Sequence, residues 1–150
     1  RSFLAEQMSL GRTVALKLLR PEQRFFPGAR ARFRREVEAI ARLGDAGIVP
    51  IHSVGQDHGI DFFAMEYVRG ASLGDVLAAL HGQRPADLAG RDLLRVVATR
   101  SDITLPEPVP ELFGGTWVQT CCRIVARMAR AAHHAHERGV VHREIGRAHV

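Results

Sequence analysis

The sequence predicts an α+β chain, with strand signals in its first half and helix signals dominating its second. Three observations carry this. Thr13–Leu19 reads Thr-Val-Ala-Leu-Lys-Leu-Leu, an apolar run with β-branched residues that Pro21 closes. Arg30–Leu43 sets Phe33, Val37, Ile40 and Ala41 at helical spacing. Ser72 with Asp75, and Thr116 with Gln119, form capping-box signatures that open two further helices.

The elements follow in order. Ser2–Gln7 reads as a short strand and Ser9-Leu10-Gly11-Arg12 as a turn. In the strand that follows, period two puts Val14, Leu16 and Leu18 on one face and Ala15 and Lys17 on the other. In the Arg30–Leu43 helix, Glu36 lies about 40° from Ile40 and so projects from the edge of the apolar stripe. Glu38 points away. Two readings of Glu36 compete: a surface pair with Arg32, about 0.2–0.5 kcal/mol, or an inward carboxylate that needs a cation in the core. Ile48–Val54 and Asp61–Val68 read as strands joined by a turn at Gly55-Gln56-Asp57-His58-Gly59, and Arg69-Gly70 breaks the second. A helix then starts at Leu73. Residues 82–115 carry Pro85, Pro106, Pro108 and Pro110 and read as a loop-rich insert with one helix around Asp92–Thr99. The helix after Thr116 has Val118, Cys121, Cys122, Val125, Met128, Ala129, Ala132 and Ala135 on one stripe, and Gly139 ends it. Val140-Val141 reads as a short strand entering His142-Arg143-Glu144.

Composition excludes several classes. A length of 150 residues fits one domain or a large part of one, and 46% hydrophobic residues suffice for a core. Charged residues at 25% exclude wholesale disorder. No apolar run approaches the roughly 18 residues of a membrane helix, and no signal peptide opens the chain. Adjacent Cys121 and Cys122 cannot build a disulfide framework, so a reducing, cytoplasmic interior is expected. The net charge of +5 comes from dispersed arginines without interleaved aromatics, which speaks against nucleic acid. Of the 21 basic residues only Lys17 is a lysine. Its compact ammonium differs from the planar guanidinium fork, so a site that demands the compact group would retain it. His133, His134 and His136 do not form a good metal constellation, since 133 and 134 point to different sides of a helix. No metal site is expected among them.

The order of these features resembles the protein kinase family, most of all the bacterial receptor-type serine/threonine kinases. Val14-Ala15-Leu16-Lys17 is similar to the family's Val-Ala-Ile-Lys strand, and Phe33-Arg34-Arg35-Glu36 to the start of its helix C. Gly47-Ile48-Val49-Pro50-Ile51 resembles the entry to the fourth strand, and Met65-Glu66-Tyr67-Val68 the gatekeeper and hinge. Gly70-Ala71-Ser72-Leu73 resembles the segment after the hinge, and Ala135–Arg143 the run into the catalytic loop. The resemblance implies a kinase-like fold: a small antiparallel-sheet N-lobe with helix C, then the first helices of the helical C-lobe. It implies ATP and Mg²⁺ as cofactors and a protein substrate, and is compatible with a membrane anchor outside this chain. Lys17 would hold the α- and β-phosphates and Glu36 would hold Lys17. Ala15 would pack on the adenine, Met65 would guard the back pocket, and the Glu66 carbonyl and Val68 N–H would hydrogen-bond the adenine edge. Ile40, Ile51 and His142 match the hydrophobic spine. Glu144 stands where the family carries its proton-accepting Asp.

On that resemblance the chain divides into an N-lobe at 1–68 without the glycine-rich loop, a hinge and C-lobe start at 69–143 with the insert at 82–115, and a tail at 144–150. The metal-binding Asp-Phe-Gly would lie beyond the chain, so no metal ligand is assigned here. The tail departs from the family pattern. Ile145-Gly146-Arg147-Ala148-His149-Val150 is what ATC GGA AGA GCA CAC GTC encodes, a string similar to a sequencing adapter. The tail is therefore expected to be non-native, with Asp as the native residue at 144. Otherwise the degenerate loop marks a pseudokinase scaffold, the alternative function. A third alternative is a small-molecule phosphotransferase, against which the helix spacing and the Met-Glu-Tyr-Val hinge speak. The fragment itself is expected to fold poorly and to lack activity, and the insert is expected to be a docking or regulatory surface.

Overall fold

The computed structural model describes residues 2–18 and 28–141. They fall into two compact units, one within Arg1–Val68 and Ala131–His142, the other within Arg69–Arg130 and Arg143–Val150.

The first unit is built on a four-stranded antiparallel sheet. Strand β1 (Ser2–Gln7) pairs with β2 (Arg12–Leu18) from Ser2 opposite Lys17 to Gln7 opposite Arg12. Strand β3 (Ile51–Asp57) pairs with β4 (Ile60–Glu66), and β4 in turn lies against β2, giving the order β1-β2-β4-β3. The β3–β4 turn is tighter than the sequence indicates. It consists of His58 and Gly59, both left-handed (φ 44° and 74°), the geometry that matches the twist of a two-residue hairpin. Gly55 therefore sits inside β3 instead of opening the turn. A Cβ there would run into the ring of Phe62, so this glycine marks close packing. At the other end β3 begins later than expected, because Ile48 is spent in a turn: its N–H donates to the Asp45 carbonyl at 3.0 Å, and Asp45 Oδ1 accepts from Gly47 N–H at 2.7 Å.

Helix α1 (Ala29–Ala41) enters from Gly28, whose φ of 77° suits glycine. Val37 is buried, Phe33 and Ile40 are half-buried, and Leu43 just beyond the helix is buried. Ala41, expected on the inner stripe, is exposed, because the helix closes there and Leu43 takes the inner position. The Phe33 ring lies 5.8 Å from that of Phe63 at 38°, which fastens α1 to β4.

The second unit starts with α2 (Leu73–Ala79). Its capping box is complete: Asp75 N–H donates to Ser72 Oγ at 3.1 Å, and Ser72 N–H donates to Asp75 Oδ2 at 3.0 Å. The proline-bearing stretch is more ordered than its composition indicates. A short 3-10 turn (Pro85–Asp87) leads to α3 (Gly90–Ser101), and a second 3-10 turn (Glu111–Phe113) packs back on α3. Leu93, Leu94 and Ala98 are buried, and α3 also lies against α2, whose Val76 is buried. The stretch thus supplies core to its unit. An antiparallel bridge of Ala89 with Thr116 closes its base, with Gly90 N–H donating to Gly115 O (3.0 Å) and Trp117 N–H to Leu88 O (3.2 Å).

Helix α4 (Trp117–Glu137) opens on the expected capping box, Thr116 N–H to Gln119 Oε1 at 3.0 Å and Gln119 N–H to Thr116 Oγ1 at 3.3 Å. The apolar stripe foreseen on it is largely uncovered: Val118, Val125 and Met128 are exposed. The buried positions are Thr120, Ala131 and Ala135. Thr120 is held in by the close approach of Gly90 and Phe113 at the start of α3. Gly139 (φ 76°) ends the helix as expected, with Val140 N–H reaching back to Ala135 O at 3.0 Å. Val140 and Val141 are not in a strand.

Candidate functional site

The site residues within the first unit are placed by strand register. Ala15 stands opposite Met65 and Lys17 opposite Phe63 on β2 and β4. Directly opposed residues share a face of the sheet. Ala15, Lys17, Phe63 and Met65 therefore share one face, and Asp61, two residues before Phe63, shares it too. Val14 and Leu16 lie on the other face with Glu66 and Ala64, where Val14 and Ala64 are buried.

Along the shared face the side chains grade from apolar to charged. Ala15 and Met65 are half-buried. Lys17 is exposed, its Nζ 6.0 Å from the centroid of Phe63, at the outer limit of a cation–π contact. Glu66 ends β4 and Val68 follows it; both are exposed. Glu66 N–H donates to Pro50 O at 3.0 Å, which ties the end of β4 to the start of β3.

Helix α1 lies on this same face. Phe33 meets Phe63, and Arg30 Nε donates to Asp61 Oδ2 at 2.8 Å. The chain's only lysine and the helix that carries Glu36 are therefore brought to one side of the sheet. The side chain of Glu36 lies outside the described residues, as do His142 and Glu144.

Asp61 is the residue that sequence reasoning missed. It is 1% exposed, with Arg30 as its ion-pair partner. The signal was present: an acid in register with Phe63 and Met65 on an apolar strand needs a cation. The Asp75 carboxyl is held below its ordinary value of 3.8, first by the Ser72 hydroxyl and then by the Ser72 backbone N–H, and its work is to cap α2.

Among the described residues no group of three His, Cys, Asp or Glu side chains could hold a metal ion. His133 faces Glu137 (3.5 Å) and His134 faces Arg138 (3.2 Å), both one turn along α4. A cavity of about 300 Å³ opens in the second unit between α3 and the loop that carries Leu105 and Val109. Its polar lining is Arg91, Arg95 and Glu107, which offers no acid–base pair beside a nucleophile.

No family model matches the chain. Individual relatives do. A probable serine/threonine-protein kinase of Streptomyces coelicolor is 31% identical over 152 residues, covering 99% of this chain and 18% of that protein. The serine/threonine-protein kinase PknD of Mycobacterium tuberculosis is 31% identical over 143 residues, covering 95% of this chain and 17% of that protein. The crystal structure of the Mycobacterium tuberculosis PknI kinase domain superposes with a TM-score of 0.57 at 27% identity, covering 96% of this chain and 46% of that domain. The chain thus spans less than a fifth of these curated relatives and under half of the solved domain. Sequence and fold agree: the chain carries part of a protein kinase domain that resembles those of the bacterial serine/threonine kinases.

Proposed function

We propose that the parent of this chain is a serine/threonine protein kinase that transfers the γ-phosphoryl group of ATP to protein hydroxyls, and that 2–68 carries its nucleotide-facing sheet. The observation that carries this reading is the shared face: Ala15, Lys17 and Met65 stand together on the side of the sheet where α1 docks. Phosphoryl transfer needs positioning and charge neutralisation more than covalent chemistry. The small side chain of Ala15 beside the adaptable thioether of Met65 leaves room for a purine ring, and an exposed ammonium two residues on from Ala15 can reach a polyphosphate. The residues present fit ATP in both size and charge.

In this reading Lys17 holds the α- and β-phosphates and Glu36 orients it. Ala15 packs on the adenine and Met65 guards the pocket behind it, while the Glu66 carbonyl accepts from the adenine edge and the Val68 N–H donates to it. Glu144 occupies the place of the proton acceptor. It is one methylene longer than Asp, and a misplacement of that size costs orders of magnitude in rate. Bound Mg²⁺ would neutralise the phosphate charge, with ligands outside the described residues. The division into a lobe at 1–68, a C-lobe start at 69–143 and a non-native tail at 144–150 belongs to the same proposal. So does cytoplasmic placement; no helix of the described residues is long and apolar enough to cross a membrane.

The test uses the full-length parent expressed from its gene, with and without Lys17→Met. ATP-dependent labelling of serine and threonine, lost in Lys17→Met, is the expected result. Nucleotide binding without transfer would replace the enzyme reading by the pseudokinase one. Transfer that survives Lys17→Met would overturn the assignment of Lys17.

A further inference from the structure

We propose that Arg30 and Asp61 are a positioning pair that sets where α1 lies on the sheet beside Lys17; the proposal rests on the kinase reading above, in which Glu36 of this helix orients Lys17. Asp61 lies at the start of β4 and is 1% exposed. A carboxylate at that depth loses its water and persists only beside a cation. Arg30, in the first turn of α1, supplies it. Nε donates to Oδ2 at 2.8 Å, and Nη2 reaches Oδ1 at 3.5 Å, so one hydrogen bond is strong and the second is at its long limit.

The two partners are unequal. The Arg30 side chain is 52% exposed and can return to water, whereas Asp61 cannot. The fixed carboxylate on the sheet therefore selects the position of the helix. Arg32, Arg34 and Arg35 in the same helix are exposed and form no ion pair with Asp61, so the choice of Arg30 reflects placement rather than local charge.

Helical spacing makes this placement specific. Arg30, Phe33 and Val37 follow one another at three and four residues, which stacks them on one stripe. Phe33 meets Phe63, which is two residues from Asp61 on the same face and lies opposite Lys17. The helix is thus pinned at two adjacent points of β4. Apolar contact alone is non-directional and tolerates sliding. The ion pair is directional, and a slip of one turn, about 5.4 Å, would break it while stripping the ring contact. A buried ion pair is commonly no more stabilising than well-packed apolar residues. What this pair adds is geometry, transmitted along α1 to Glu36.

The experiment measures kcat and the KM for ATP in the full-length kinase, together with thermal melting, for Arg30→Gln, Asp61→Asn, the double variant and Arg30→Lys. Expected are at least a tenfold loss of kcat/KM in each single variant, with a raised KM for ATP, no further loss in the double variant, and partial rescue by Arg30→Lys. If the variants melt earlier but the folded enzyme keeps wild-type kcat and KM well below its melting temperature, the pair is only structural and the proposal is overturned. Should Asp61→Asn fail to fold, Arg30→Gln carries the test, because that residue is half-exposed. Lys17→Met separates the two readings. Transfer lost in Lys17→Met but intact in Arg30→Gln overturns the positioning pair alone; transfer intact in Lys17→Met overturns both.

Discussion

Lys17 and Phe63 face each other across β2 and β4, with the ammonium 6.0 Å from the centre of the ring. The same ring receives Phe33 from α1 at 5.8 Å. One side chain thus supports both the lysine strand and the helix. Phe63→Ala is expected to cost about 3–5 kcal/mol, the range for removing a buried phenyl ring. Denaturant unfolding of the parent kinase domain measures it. A loss under about 1 kcal/mol would show that the ring is not a shared support.

Gly90 has no room for a side chain. A Cβ there would strike Thr120 Oγ1 and the carbonyl of Phe113, and a backbone carbonyl cannot swing away. Gly90→Ala is expected to destabilise by about 1–3 kcal/mol through overpacking. Gly44→Ala is the control, because nothing lies within 4 Å of its added methyl. Its change should stay within about 0.5 kcal/mol.

The proline-bearing stretch is predicted to be integral to its unit. Leu94 on α3 is 6% exposed, and its truncation to Ala should cost about 2–5 kcal/mol by equilibrium unfolding. A neutral result would return this stretch to the status of an appendage. Its proposed docking role has a separate check: limited proteolysis within 102–110 should slow on adding a protein partner, and unchanged cleavage would count against it.

The α2 cap should respond to acid. The Asp75 carboxyl is held below 3.8 chiefly by the Ser72 hydroxyl. A lowered folded pKa means that its stabilising share is complete above the unfolded value and is lost as pH falls through the folded one. The cap should therefore weaken below about pH 4. Amide exchange in Leu73–Ala79 should rise there in the wild type. In Asp75→Asn it should already be faster at neutral pH and lack the acid step.

Much of this was legible from the residues. The placement of β2, the two capping boxes and the Gly139 stop follow from local chemistry that needs no partner, and the structure reproduces them. Ala15 and Lys17 share a face because strand parity is set by the backbone alone, whereas Met65 joins them through the register of β2 with β4, which parity does not give. What escaped depended on distant contacts. Gly55 looked like a turn until the ring of Phe62 explained it. The α4 stripe looked buried because helical spacing identifies an apolar face but not what covers it. Asp61 shares strand parity with Phe63 and Met65, which signals burial, but its partner could not be read off, because the arginine lies 31 residues away.

The clasp of Ala89 and Thr116 brings the entry and exit of the stretch between them side by side. The chain therefore makes a closed detour there. The loop at its tip could be lengthened, or made to host a foreign module such as a tag or reporter, while the flanking helices keep their course. That makes Thr104–Glu107 a grafting point within the detour, in a stretch that carries no helix or strand.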